Sequence, residues 1–345
     1  MPAALAVLAA LAAAALAASA AACSGGDPAP PTGPDTPPGP CTVPDARCAV
    51  RVEVAEGVYL PAFATHDPAV GDASVTRVVV VVHGTNRNAD DYFATMVEAA
   101  RLAGVLSSTV IVAPHFQTAE DLPAADEAFW SSSGWKRGHL SSEDGPRPRV
   151  SSYAALDALV ERLADRARFP AVREIVVTGH SAGGQVAHRY AAGSGEEDAH
   201  PGLRFRYVVA NPSTYLYPGP ERQDGAAWTI PDTLACPDYD DWHYGLRNLN
   251  TYMSAVGPDL AAEHLLSRDV TLLLGTADTA TSLLDQSCGA NLQGSRRLFR
   301  GRTLVRYLDA RFPGHRHRAF EVVGVGHSSS GIYTSGVGRA VLFQP

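Results

Sequence analysis

Residues 175–184 read Ile-Val-Val-Thr-Gly-His-Ser-Ala-Gly-Gly. A β-branched run feeds Gly179-His180-Ser181-Ala182-Gly183, and a helical stretch follows. Such a Gly-x-Ser-x-Gly turn lifts a serine hydroxyl onto a sharp bend between a strand and a helix. The flanking glycines have a steric task, because side chains two residues either side of a strained serine would collide with the strand or the helix. A serine hydroxyl is a poor nucleophile at neutral pH. It needs an imidazole to take its proton and a carboxylate to hold that imidazole's tautomer. Both stand downstream. Val270-Thr271-Leu272-Leu273-Leu274 is a short buried-strand run with Asp278 just after it, and Phe320–Val325 is a last strand with His327 beyond it. The chemistry this order supports is covalent acyl transfer, with Ser181 as nucleophile, Asp278 as acid and His327 as base.

Other residues compete for these roles. Asp285 lies seven residues beyond Asp278, and Asp240 and Asp241 have no strand closely before them. His315 and His317 precede the last strand in an Arg-rich stretch and read as solvated. His83 and His180 belong to their motifs and read as residues that orient backbone. His115 reads as a loop anchor.

A transition-state oxyanion needs N–H donors. Arg77-Val78-Val79-Val80-Val81-Val82-His83-Gly84-Thr85-Asn86 is a buried strand ending in His-Gly. With the serine turn and the Ser…Asp…His order, this segment resembles the α/β-hydrolase superfamily. The resemblance spans about residues 50–340 and points to no subfamily. It implies that Thr85, or failing that Asn86, supplies one oxyanion N–H, and that Ala182 supplies the other. The fold it implies is an α/β-hydrolase fold with a mostly parallel central sheet, helices on both faces and a cap insertion of loops and helices. The activity it implies is that of a serine hydrolase, first of carboxylic esters. Amide or peptide hydrolysis uses the same triad, and a catalytically silent binding module could share the scaffold. The reaction requires no cofactor or metal, and no CxxC or HExxH pattern is present.

Elements that would position these groups are legible. Val50, Val52 and Val54 alternate with polar neighbours as an outer antiparallel strand, with 58–64 as its hairpin partner. Buried strands are predicted at 77–82, 109–113, 174–178, 205–210, 270–274 and 319–325. Tyr92, Phe93, Met96, Val97 and Ala100 form one helical stripe, stopped at Gly104. Tyr153, Leu156, Val160, Leu163 and Ala167 form another, opened by Ser151 or Ser152 and stopped before Pro170. Strands alternating with helices predict a mostly parallel sheet covered on both faces.

Two segments break the rhythm. Residues 116–150 carry Phe129, Trp130 and Trp135, and residues 211–268 carry Tyr215, Tyr217, Trp228, Tyr239, Trp242, Tyr244 and Tyr252. They read either as pocket walls or a cap, or as packing under surface loops. As pocket walls they would suit a small-molecule or polymer ester with apolar or aromatic parts.

The first 22 residues are almost wholly Ala, Leu and Val, and Cys23 follows. Ser19–Gly25 resembles a bacterial lipoprotein signal, cut before a cysteine that is then acylated. Ala20 stands where Leu is usual, and no Lys or Arg precedes the apolar stretch. Plain secretion and a retained anchor are the other readings. Residues 24–40, rich in Pro and Gly, cannot bury a core. The expected organisation is a signal peptide at 1–22, a tether at 23–48 and a hydrolase domain at 49–345 with a cap-like insertion at 211–268. Its core of about 300 residues is ample for one domain. An acylated Cys23 would attach the chain to a membrane. It would leave Cys41, Cys48, Cys236 and Cys288, an even number with three possible pairings. Cys41 with Cys48 is the local choice, and Cys236 with Cys288 would join loops flanking the 270–274 strand. The chain has 345 residues, one lysine (Lys136) against 27 arginines, and a net charge of −8, which argues against a nucleic-acid partner. Nothing in the composition determines an oligomeric state.

Overall fold

The structure, a computed structural model, describes residues 39–344. The expected signal peptide, Cys23 and most of the tether lie outside these residues. The strands are β1 (Ala49–Ala55), β2 (Val58–Ala64), β3 (Arg77–Val82), β4 (Thr109–Pro114), β5 (Glu174–His180), β6 (Arg204–Ala210), β7 (Arg222–Asp224), β8 (Ala227–Thr229), β9 (Val270–Gly275) and β10 (Arg318–Val322). Eight of them form one sheet in the order β1-β2-β4-β3-β5-β6-β9-β10. β1 pairs antiparallel with β2, and β2 with β4. Every other neighbouring pair in this sheet is parallel. β7 and β8 form a separate hairpin.

The helices are α1 (Ala89–Leu102), α2 (Ser152–Ala164), α3 (Ala182–Gly193), α4 (Glu196–Ala199), α5 (Thr251–Val256), α6 (Pro258–Ser267), α7 (Cys288–Asn291), α8 (Arg297–Arg311), α9 (Ser329–Tyr333) and α10 (Gly336–Phe343). The valines of β3 show why the sheet is covered twice. Val78, Val80 and Val82 enter one apolar cluster with residues of α2, α3, α6 and α8. Val79 and Val81 enter another with residues of α1, α9 and α10. Successive side chains on a strand point to opposite faces, so a continuous valine run needs helices on both. Each buried valine contributes about 1.5–3 kcal/mol. Among the described residues no helix is long and apolar enough to cross a membrane.

The register lines up the C-terminal ends of the inner strands. Val82 pairs with Gly179, His180 with Ala210, Ala210 with Leu273, and Val322 with Gly275. The segments carrying Gly84, Ser181, Asn211, Asp278 and His327 therefore leave the sheet along one edge.

Strand ends shift by a residue or two from the sequence reading, and three larger differences stand out. The last strand ends at Val322 rather than Val325, because Gly324 takes a left-handed φ of 76° and turns the chain. Helix α2 ends at Ala164. Asp165 is extended, its Oδ1 accepts from the Ala167 N–H at 2.8 Å, and Phe169 rather than Ala167 enters the core. An aspartate that offers its own backbone a turn, with Pro170 pushing Phe169 out of the helical region, explains the early stop. In 211–268, α6 buries Ala261 and Leu265 against the cluster that holds α3, so it is the crossover helix leading to β9 rather than part of a cap.

Cys41 is disulfide-bonded to Cys48, and Cys236 to Cys288. The first bond and a hydrogen bond from the Cys41 N–H to the Thr65 carbonyl (2.8 Å) hold residues 41–48 on the domain, so the chain is already attached there rather than free as far as residue 48. The second closes a much longer loop and ties the 230s to the segment after Asp278. Constraint of the unfolded chain grows with loop length, so Cys236→Ser with Cys288→Ser should cost about 2–4 kcal/mol, more than the same pair of changes at Cys41 and Cys48. Denaturant unfolding of the two double variants checks the order.

Candidate functional site

Ser181 sits between the last residue of β5 and the first of α3 with φ 58° and ψ −115°. An L-residue at positive φ is strained by about 1–3 kcal/mol and persists only where its surroundings enforce it. Here the enforcement is backbone proximity. A Cβ on Gly179 would overlap the backbone of Gly183, and one on Gly183 would overlap the carbonyls of Val82 and His83. The Ser181 N–H donates to the Ala210 carbonyl at 2.9 Å, tying the bend to the neighbouring strand.

The serine hydroxyl meets His327. Nε2 of His327 lies 3.0 Å from Ser181 Oγ, and Nδ1 lies 2.7 Å from Asp278 Oδ2. Asp278 is completely buried. Its second oxygen has no hydrogen-bond partner and faces Nη1 of Arg297 at 3.6 Å, an ion contact longer than a hydrogen bond. The Arg297 guanidinium is held by the Ser282 carbonyl at 2.9 Å and, more loosely, by that of Ala280 at 3.4 Å. Burial pulls the pKa of Arg297 down, while the Asp278 charge pushes it up. A buried carboxylate needs such a partner, since an unpaired one would neutralise.

The turns bearing acid and base are stitched together. The Ala277 N–H donates to the Val325 carbonyl (2.9 Å), and the Gly324 N–H to Thr276 Oγ1 (2.8 Å). Asn211, just past β6 and itself at φ 41°, accepts from the Gly275 N–H through Oδ1 (2.8 Å) and reaches the Gly326 carbonyl with Nδ2 (3.5 Å). Sequence reasoning missed Asn211 and Arg297. An asparagine between a buried strand run and Pro212 was a possible signal for the first. None pointed to Arg297, which lies 19 residues beyond Asp278.

The histidines divide by surroundings. His83 accepts from the Phe116 N–H at Nε2 (3.0 Å) and donates from Nδ1 to the Gly84 carbonyl (2.9 Å). Burial drives its pKa down to about 3, so it is neutral and orients backbone, as its motif suggests. His180 does not hold backbone. Its ring lies tilted against that of His327 at 4.5 Å between centroids, with the Tyr92 hydroxyl 3.3 Å from Nδ1 and Asn211 Nδ2 3.4 Å from Nε2. Burial first, then the charge of His327, keeps its pKa well below the ordinary histidine value. His315 and His317 are not solvated. His315 pairs with Asp309, and His317 is buried edge-on to His188. His115 donates its backbone N–H to the Pro61 carbonyl and packs edge-on to His83.

The rival carboxylates are engaged elsewhere. Asp285 accepts from the Tyr244 hydroxyl at 2.6 Å and from the Ser287 N–H at 3.0 Å. Asp240 pairs with buried Arg222, and Asp241 accepts from Asn248 Nδ2 at 2.8 Å.

Ala182 opens α3, where a helix N-terminus leaves N–H groups free. Gly84, Thr85 and Asn86 line, with Ser181 and His327, a cavity of about 260 Å³. Tyr92 and Leu283 are its large apolar linings, and Asn88, Ser328 and Ser329 add polar groups. The loop after β3 is anchored by Arg87, at φ 59°, whose Nε donates to Asp121 at 2.6 Å. None of the aromatic residues of 116–150 and 211–268 lines this cavity. Tyr215, Tyr217 and Tyr239 are buried in packing, and Trp135 stacks on Phe116 and lies tilted against His83. Among the described residues no group of His, Cys, Asp and Glu is arranged to hold a metal ion.

No family model matches the chain, and no curated protein sequence matches it. Solved structures do. The chain is similar to poly(aspartic acid) hydrolase-1 from Sphingomonas sp. KT-1, with a TM-score of 0.59 and 24% identity over 86% of this chain and 98% of that one. It is similar also to a poly(3-hydroxybutyrate) depolymerase from Bordetella parapertussis, with a TM-score of 0.59 and 22% identity over 85% of this chain and 89% of that one. At such identities what is shared is the arrangement of the sheet and its helices.

Asn211 holds both turns, so its loss should loosen them. Asn211→Ala removes three side-chain hydrogen bonds and puts alanine, which tolerates positive φ less well than asparagine, at φ 41°, which should cost about 1–3 kcal/mol. Urea unfolding measures it, and Asn211→Asp, which keeps the acceptor, should cost less.

Proposed function

We propose that this chain, which has the α/β-hydrolase fold, is a serine hydrolase that cleaves carboxylic esters through an acyl-enzyme. The observation that carries the reading is the unbroken chain from Ser181 Oγ through His327 to Asp278, with contacts of 3.0 and 2.7 Å. No residue outside the chemistry requires that geometry. As Oγ attacks the substrate carbonyl carbon, His327 Nε2 takes the hydroxyl proton. Asp278 holds Nδ1–H and stabilises the imidazolium that forms. The carbonyl oxygen becomes an oxyanion, received by the N–H of Ala182 and that of Thr85, with Asn86 the alternative donor. Collapse of the tetrahedral adduct breaks the ester C–O bond, and His327 returns the proton to the departing alcohol. Water then enters, His327 deprotonates it, and hydrolysis of the acyl-enzyme restores Ser181. Arg297 faces the second oxygen of the buried Asp278 throughout, at 3.6 Å.

The two structural neighbours are described as hydrolases of polymers, which supports a hydrolytic reading. The small cavity suits an ester whose acyl part is short or whose remainder extends over the surface, as a small-molecule or polymer ester would. The two disulfides support an oxidising compartment, and with the sequence around Cys23 they support an exported, lipid-anchored enzyme.

A fluorophosphonate should label the wild-type protein and leave Ser181→Ala unlabelled, as read by mass spectrometry. Labelling that persists in the alanine variant would remove Ser181 from the nucleophile's place. Asp278→Asn should lower kcat on a short-chain nitrophenyl ester by about 10²–10⁴-fold, because the histidine loses its tautomer and its counter-charge. Asp285→Asn should stay near wild type, since Asp285 bonds Tyr244 and Ser287 rather than a histidine.

A further inference from the structure

The lone lysine of the chain stands in an unusual place. Lys136 lies in the 3-10 turn Trp135–Arg137, mostly buried, and forms no ion pair among the described residues. Its neighbour Arg137 is likewise in no ion pair, and the buried Nε of that guanidinium has no hydrogen-bond partner. Arg189, on α3, is fully buried. Its Nη atoms reach Gln185 Oε1 (3.0 Å), Thr214 Oγ1 (2.8 Å) and the Lys136 carbonyl (3.0 Å), all neutral acceptors, and its Nε is unpartnered. Three cations thus gather in a poorly hydrated place. Asp285 is the carboxylate whose charge offsets Lys136 and Arg189, and its oxygens are already taken by Tyr244 and Ser287. Uncompensated buried charge is costly, and an anion would relieve it.

The backbone beneath these side chains is held firmly. The Lys136 carbonyl accepts from the Tyr153 hydroxyl (3.2 Å) as well as from Arg189, and the Arg137 carbonyl accepts from Trp242 Nε1 (2.8 Å) and Asn250 Nδ2 (2.6 Å). Four hydrogen bonds fix the turn while its charged heads stay unpaired, which is how a preorganised binding group is built. The turn also packs against the end of β3. Trp135 packs on His83 at 4.7 Å, behind the loop that holds Thr85. Gln185, the partner of Arg189, is one helical turn beyond Ser181, and Arg189 is two. At 1.5 Å per residue these are about 6 and 12 Å along α3.

We infer that Lys136, backed by Arg137 and Arg189, forms an anionic subsite that receives a carboxylate of the substrate several bonds from the ester cleaved at Ser181. This rests on the hydrolase reading above and narrows it to esters that carry an acidic group. Gathering cations beside the site has a stability cost that ordinary folding would avoid, and binding a carboxylate offsets it. Arg189 and Arg137 add to the field, and Lys136 makes the contact, because Arg189 is fully buried and its Nη atoms are held by neutral acceptors.

The test compares two 4-nitrophenyl esters of equal length, one ending in a methyl group and one in a carboxylate, with calorimetric binding of glutarate to Ser181→Ala protein as a readout that needs no turnover. Lys136→Met should raise KM for the carboxylated ester about tenfold or more, the scale of a charge-assisted hydrogen bond, with kcat unchanged. The neutral ester should keep its kcat/KM. Glutarate should bind Ser181→Ala and be lost when Lys136→Met is added. Burial, with the charges of Arg137 and Arg189, pulls the pKa of Lys136 down to about 8, against the opposing charge of Asp285. The kcat/KM for the carboxylated ester, which reports the free enzyme, should therefore fall as pH rises past about 8, and that for the neutral ester should not. The thermal midpoint of Lys136→Met should hold or rise, where a structural lysine would lower it. Equal loss on both esters, or glutarate that fails to bind Ser181→Ala or binds it equally with Lys136→Met, overturns the subsite. Inorganic phosphate binding as tightly as glutarate makes it a free-anion site and overturns its assignment to substrate. An absence of fluorophosphonate labelling would sink the hydrolase reading alone, leaving the glutarate result to decide this one.

Discussion

Everything at the candidate site depends on how closely α3 approaches the end of β3. At Gly183 the helix backbone rests on the Val82 and His83 carbonyls, and at Gly179 the strand rests on the helix, at distances no side chain permits. That approach makes the bend sharp enough to force Ser181 to φ 58° and to lift its hydroxyl clear of the strand ends. It also keeps the α3 N-terminus beside the loop carrying Thr85. The strain is local and is repaid by the two apolar clusters that clamp the sheet from both sides.

The second requirement is charge balance in a dry place. Asp278 is fully buried, and it is paired on one oxygen with His327 and faced on the other by Arg297. His180 and His83 are stripped of charge by burial, and each packs on a neighbour: His180 against the His327 ring, His83 on the loop after β3. The site thus holds one carboxylate that meets an imidazole on one oxygen and a guanidinium on the other. The cations around Lys136 break this rule of balance, and they do so beside α3 rather than in the sheet. At the other end of the sheet, Glu174 takes charges from Arg77 and Arg206, and the ion pairs there close on themselves.

The roles of the aromatic residues show how a composition signal divides once the chain is folded. Gathered in two irregular segments, they looked alike in sequence. In the structure most are struts. Trp135 supports His83, and Trp242 pins the Arg137 carbonyl. They shape the site by holding the backbone that shapes it.

Local chemistry was enough to read much of this protein from its sequence. Valine runs can only be strands buried on two faces, Gly-x-Ser-x-Gly with a strand before and a helix after can hardly be other than a sharp turn, and acidic and imidazole groups just past later strand runs announce themselves by position. The strand boundaries at 58–64 and 77–82, the Ser181, Asp278, His327 set that the structure brings together, and both cysteine pairings followed from such patterns. What stayed hidden depends on distance in space between residues far apart in the chain. Arg297 faces Asp278 only because α8 packs beside β9. Asn211 joins Gly275 to Gly326 only because β6 and β9 pair in that register. His317 is buried edge-on to His188, and the Lys136 carbonyl accepts from a guanidinium only because Arg189 approaches from α3. Periodicity and turn chemistry act over a few residues and are written in the sequence. Which charges meet, and which are left without a partner, is set by packing, and only the folded chain decides it.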